Sequence, residues 1–141
     1  MFNIDRDQSR QIFFQSWSKH TRQEVLEPME SLVVEVIQLH PEYHALLDNP
    51  DENRDKDYFP EMGETNPFLH MGLHIAIKEQ ISINQPVGIQ QHYQRLLLKF
   101  QDPHIVEHQI MECLVQMIWE AQRNHSMPDN DLYLECIARL G

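Results

Sequence analysis

The sequence predicts an all-α fold: a single compact bundle of five to six helices, one domain over residues 1–141, with a long acidic loop at about 48–65. Three observations predict it. Only four Gly stand among 141 residues, and Gln, Leu, Ile and Glu, which lose little freedom in a helix, are plentiful. Apolar side chains recur three and four residues apart, the period of a helix face. Asn66-Pro67 and Asp102-Pro103 each set a capping residue before a first-turn proline, a start signal for a helix.

Taken in order, Asp5 to about His20 reads as a first helix with Phe13, Phe14 and Trp17 on its apolar side. Pro28 opens a second through Met29, Leu32, Val33, Val36 and Ile37. Pro41 ends or kinks it, because proline lacks the N–H and clashes with the preceding turn. A short helix restarts there and carries Tyr43 and His44 to about Leu47. Residues 48–65 show no periodicity. A third helix runs from Pro67 to about Ile83, and Gln85-Pro-Val-Gly88 is a turn. The fourth places Ile89, Tyr93, Leu96, Leu97 and Phe100 on one face. The fifth reaches from Pro103 to about Arg123, and a last short helix after Pro128 contains Leu132, Tyr133, Cys136 and Leu140. Trp17 and Trp119 are expected as core anchors.

Charge narrows the functions. A net charge of −11 repels nucleic-acid phosphates and anionic membrane alike, so neither is expected as a partner. Protonating all nine His would bring −11 to −2. The opening Met1-Phe-Asn-Ile-Asp-Arg is too polar for a signal peptide, and no apolar run approaches a membrane span. Cys113 and Cys136 form neither a framework nor a CxxC pair. A cytoplasmic protein with free thiols is the expectation.

The histidines carry the functional signal. Three segments place them four residues apart: His40 and His44, His70 and His74, His104 and His108. Such pairs project from one helix face and can grip one metal ion. The stretch Pro67–Ile77 is apolar nearly all round, so its helix should be central and buried, with His70 and His74 its only polar side chains. An unpartnered buried imidazole costs about 1–3 kcal/mol, which metal ligation or core hydrogen bonds would offset. In the fifth helix, Glu107 falls within the apolar stripe of Ile110, Met111, Leu114 and Ile118, where a carboxylate calls for a cation or a proton. His108 flanks that stripe, and Glu112 lies nearer the polar face. The string His104-Ile-Val-Glu107-His108 matches the inverted zinc-protease pattern only formally. Carboxylate and imidazole meeting from two helices is closer to di-iron and di-manganese bundles, although their repeated Glu-x-x-His is absent. Pro41 separates His40 from His44, so His40 is expected to cap the segment that follows. Asp51-Glu-Asn-Arg-Asp-Lys-Asp57 begins like a calcium loop, but Lys56 replaces the turn glycine and Met62 the bidentate acid, which excludes calcium. Glu61 and Glu64 lead into the histidine helix and could reach its site.

Glu64-Thr-Asn-Pro-Phe-Leu-His-Met-Gly-Leu-His-Ile-Ala-Ile-Lys-Glu-Gln, with Gln85-Pro-Val-Gly-Ile, resembles the domain of unknown function number 1841, found in short proteins of Gram-negative bacteria. The Phe2–Trp17 opening, His40-Pro-Glu-Tyr-His44 and Glu107-His108…Met111-Glu-Cys-Leu114 are similar too. The resemblance spans nearly the whole chain and implies no assigned activity.

The residues support two readings. The first is a metal-binding bundle in which His70 and His74 are ligands with Glu107 and His108, or Glu112, and His40 or His44 adds another. Mixed imidazole and carboxylate suits Fe, Mn or Zn. An open coordination position would admit hydrolytic or oxidative chemistry, so whether the protein is an enzyme is left open. The second is a non-catalytic acidic module that binds a basic protein partner or a second copy of itself, with its histidines in a buried hydrogen-bond network. A thiol-redox role for Cys113 ranks below both, since no second cysteine is near it in sequence.

Overall fold

The computed structural model describes the backbone of residues 6–58 and 66–141, with side chains from residue 10 onward. Among these residues there are eight α-helices and no strand: α1 (Arg6–Thr21), α2 (Pro28–Gln38), α3 (His44–Leu47), α4 (Pro50–Asn53), α5 (Pro67–Ile83), α6 (Ile89–Phe100), α7 (Pro103–Arg123) and α8 (Asn130–Ala138). A 3-10 turn, Pro41–Tyr43, joins α2 to α3. The all-α class is as expected. The count exceeds five to six because 44–53 folds into two one-turn helices, the second opened by the Asn49-Pro50 start signal. None of these helices is long and apolar enough to cross a membrane. The chain divides into two compact units, residues 1–75 and 76–141, the division falling inside α5.

In the first unit, Phe13, Phe14 and Trp17 of α1 share a core with Val33, Val36 and Ile37 of α2, Leu47, and Phe68, Met71 and Ile75 of α5. Phe68 meets the rings of Phe13 and Phe14 at 5.8 and 5.5 Å, inside the range of favourable tilted aromatic contact. Arg10 is buried, and its guanidinium donates to the carbonyls of Asn53, Arg54 and Lys56 at 3.4, 3.2 and 2.7 Å. Carbonyls at a helix C-terminus lack partners and carry partial negative charge, so a cation there closes the end of α4. The first part of the acidic segment is therefore tied down on α1. Glu61 and Glu64 lie outside the described residues.

In the second unit, side-chain caps open α7 and α8. Asp102 accepts from the His104 N–H at 2.9 Å, and Asp129 from those of Asp131 and Leu132 at 2.9 and 3.3 Å. Gly88 adopts φ +105°, a left-handed turn conformation that side chains disfavour, just before α6. Tyr133 of α8 is 1% exposed and its hydroxyl donates to Gln80 Oε1 of α5 at 2.7 Å. Arg95 of α6 holds the other end of α8 through the carbonyls of Ile137 and Leu140 at 3.1 and 2.9 Å.

Two expectations are corrected here. Cys113 and Cys136 are not free thiols: they form a disulfide from α7 to α8, with Cα atoms 5.7 Å apart. The pairing spans 23 residues and depends on α8 folding back along α7, which spacing along the chain does not reveal. Trp119 is not a core anchor. It is 54% exposed, on the outer side of α7, and Arg123 covers its ring at 5.1 Å. The histidine helix is also less enclosed than its composition suggested, since Leu69 is 60% exposed while Phe68, Met71, Ile75 and Ile77 are buried.

Candidate metal centre

Asn66 sets the start of α5, its Oδ1 accepting from the backbone N–H groups of Phe68 and Leu69 at 3.0 and 3.2 Å. One helical turn on, His70 and His74 stand side by side with ring centroids 4.8 Å apart. His74 is fully buried. The third member of the cluster is His40. Pro41 stops α2, and the non-helical backbone at His40 (φ −128°, ψ 69°) takes its ring off the α2 face. Its centroid lies 5.0 Å from that of His70 and 4.8 Å from that of His74, and Tyr43 stacks on it at 5.4 Å.

Hydrogen bonding prepares His40 chemically. Its Nδ1 donates to the Val36 carbonyl at 2.8 Å. A carbonyl only accepts, so Nδ1 carries a proton, and Nε2 is the nitrogen that would ligate. Metal-bound imidazoles are oriented by the same kind of bond. One ring nitrogen of His40 lies within 4.8 Å of one of His74. Two imidazoles on one ion stand about 3–4 Å apart, a spacing that lies within this bound.

His44 points elsewhere. Its Nε2 donates to the Ile37 carbonyl at 2.9 Å and its ring lies 4.5 Å from that of Trp17. The proline between His40 and His44 thus parts the pair.

The second unit has its own histidine pair. His104 and His108 occupy the first two turns of α7 with ring centroids 4.2 Å apart, and a nitrogen of each also falls within 4.8 Å of the other. Glu107, between them in sequence, is 2% exposed. The cation that so buried a carboxylate requires is Lys78 of α5, whose Nζ lies 2.9 Å from Glu107 Oε2. The phenol of nearby Tyr93 is pushed up, by burial first and then by the Glu107 charge. Glu112 is exposed on α7.

Of the residues expected as ligands, His40, His70 and His74 are together. Glu107 is engaged by a lysine, and His44 and Glu112 face other surroundings. His104 is not among the expected ligands, although its four-residue spacing from His108 is plain in the sequence.

Fold and site together define an all-helical protein whose buried or half-buried histidines gather in clusters on helix faces. By its sequence the chain belongs to the family described as Domain of unknown function (DUF1841), whose model matches residues 5–139. No curated protein and no solved structure matches it.

Proposed function

We propose that this protein binds a divalent transition metal through histidine, with His40 and His74 as ligands in the first unit and His104 and His108 in the second. The observation that carries the reading is the placement of His40: a buried imidazole whose Nδ1 donates to the Val36 carbonyl, with its ring 5.0 and 4.8 Å from those of His70 and His74. His70, beside both, is the ligand held in reserve. Imidazole donors suit Zn, Fe, Cu or Ni, whereas Mn favours oxygen. With Glu107 held by Lys78, the preference among Fe, Mn and Zn moves to Zn or Fe. A cytoplasmic location belongs to the same reading, and cell fractionation tests it.

Elemental analysis and titration calorimetry with Zn and Fe(II) test the binding. The expected result is stoichiometric metal, lost in His40→Ala/His74→Ala and in His104→Ala/His108→Ala. Loss of one equivalent in each double variant separately assigns one ion to each pair. Metal retained by both double variants overturns the proposal.

A second reading has its own observation. The Val36 and Ile37 carbonyls satisfy one nitrogen each of His40 and His44 without any ion. An acidic, metal-free interaction module would use these histidines as core hydrogen-bonding groups. A stoichiometric basic protein partner, recovered with metal-free protein, is the result that favours it.

A further inference from the structure

We propose that the Cys113–Cys136 disulfide is redox-active, and that a neutral or cationic dithiol reduces it in the folded protein by attack at Cys136. The inference stands independently of the metal reading. Both cysteines line a cavity of about 200 Å³ in the second unit, together with Glu120, Glu135 and Arg139. A larger cavity of about 470 Å³ shares Met117, Glu120 and Leu132 with it and opens toward solvent. A reductant therefore has a route to the sulfurs. Cys113 is 2% exposed while Cys136 is half-buried, which makes Cys136 the sulfur that an incoming thiolate reaches.

The surrounding contacts keep the fold independent of the bond. The α8 helix is held at Tyr133 by the core and Gln80, at Ile137 by burial, and at its C-terminal end by Arg95. None of these contacts involves either cysteine. A cross-link that can open without releasing its helices works as a redox couple rather than as the staple of the fold.

The exchange balances as follows. The reductant's thiolate bonds to Cys136 Sγ, the Cys113–Cys136 bond breaks, and Cys113 leaves as a thiolate that takes up a proton. The second thiolate of the reductant attacks its own sulfur in the mixed disulfide and expels Cys136, which is protonated in turn. The dithiol gives up two electrons and closes into a disulfide, while the protein gains two thiols. Charge selects the reductant. Two acids, Glu120 and Glu135, face one Arg139 at the cavity, and the chain as a whole carries −11. An anionic thiol is repelled, and a neutral or cationic one is not.

The test treats native full-length protein with dithiothreitol, without denaturant, and counts iodoacetamide-labelled thiols by mass while circular dichroism follows the helices. Two labelled thiols per chain with the helical signal retained are expected. At equal thiolate concentration, cysteamine should also reduce the bond faster than 2-mercaptoethanesulfonate. Labelling that appears only with denaturant, or in step with loss of helix, overturns the proposal. Equal or reversed rates for the two thiols overturn the charge selection. In Cys113→Ser, the remaining Cys136 should react faster with dithiodipyridine than Cys113 does in Cys136→Ser. The reverse order overturns the assignment of the attacked sulfur.

Discussion

Glu30 shows how one side chain joins two elements and makes their union depend on pH. Its Oε1 accepts from the Glu27 N–H at 2.9 Å at the start of α2 and from Lys19 Nζ of α1 at 3.1 Å. Both bonds favour the carboxylate, the backbone one more, so the Glu30 carboxyl titrates below its ordinary range. Lys19 is raised in return, chiefly by its hydrogen bond to Glu30. A depressed folded pKa gives stability that is present above the unfolded value of about 4.3 and is lost as pH falls through the folded value. Glu30→Gln should therefore lower the urea midpoint at pH 7 and flatten its decline between pH 5 and pH 3. An unchanged slope in the variant would remove Glu30 from the acid transition.

Between elements, the contact with most at stake is Lys78 on α5 against Glu107 on α7. Removing one member of a buried ion pair costs about 3–5 kcal/mol. Lys78 is 17% exposed, so water relieves part of this and the lower end applies. Lys78→Ala should destabilise by about 3 kcal/mol, and Lys78→Met with Glu107→Leu should recover most of that loss. Urea unfolding of the single and double variants measures both. A Lys78→Ala midpoint equal to the parent's would show that the Glu107 charge is not buried in solution. Such a pair also accounts for Glu107 without a metal, which is why the proposed ligands are the flanking imidazoles.

For the molecule as a whole, length predicts one domain, and the chain divides into two compact units at a point inside the α5 helix. One domain would unfold in a single transition. Each unit holds one tryptophan, Trp17 in the first and Trp119 in the second. Fluorescence of Trp119→Phe thus reports the first unit, and that of Trp17→Phe the second. In each variant the urea midpoint by fluorescence should coincide with that by circular dichroism. Separated midpoints would show two domains.

Features settled within a turn or two of chain can be read from neighbouring residues. Asn66-Pro67 and Asp102-Pro103 start α5 and α7 where the caps lie, Pro41 ends α2, and Phe13, Phe14 and Trp17 face a core. The pairing of His70 with His74 and of His104 with His108 was legible for the same reason, because helical geometry alone makes such residues neighbours. Partners from different elements were decided only by tertiary structure. His40 joins a cluster some thirty residues further along the chain, Lys78 answers Glu107, Cys136 reaches Cys113, and Trp119 is left outside. Hydrogen-bond and steric rules for the backbone act locally and can be read from neighbouring residues. Which faces meet depends on the simultaneous fit of many side chains from several helices, and no short stretch of sequence contains that information.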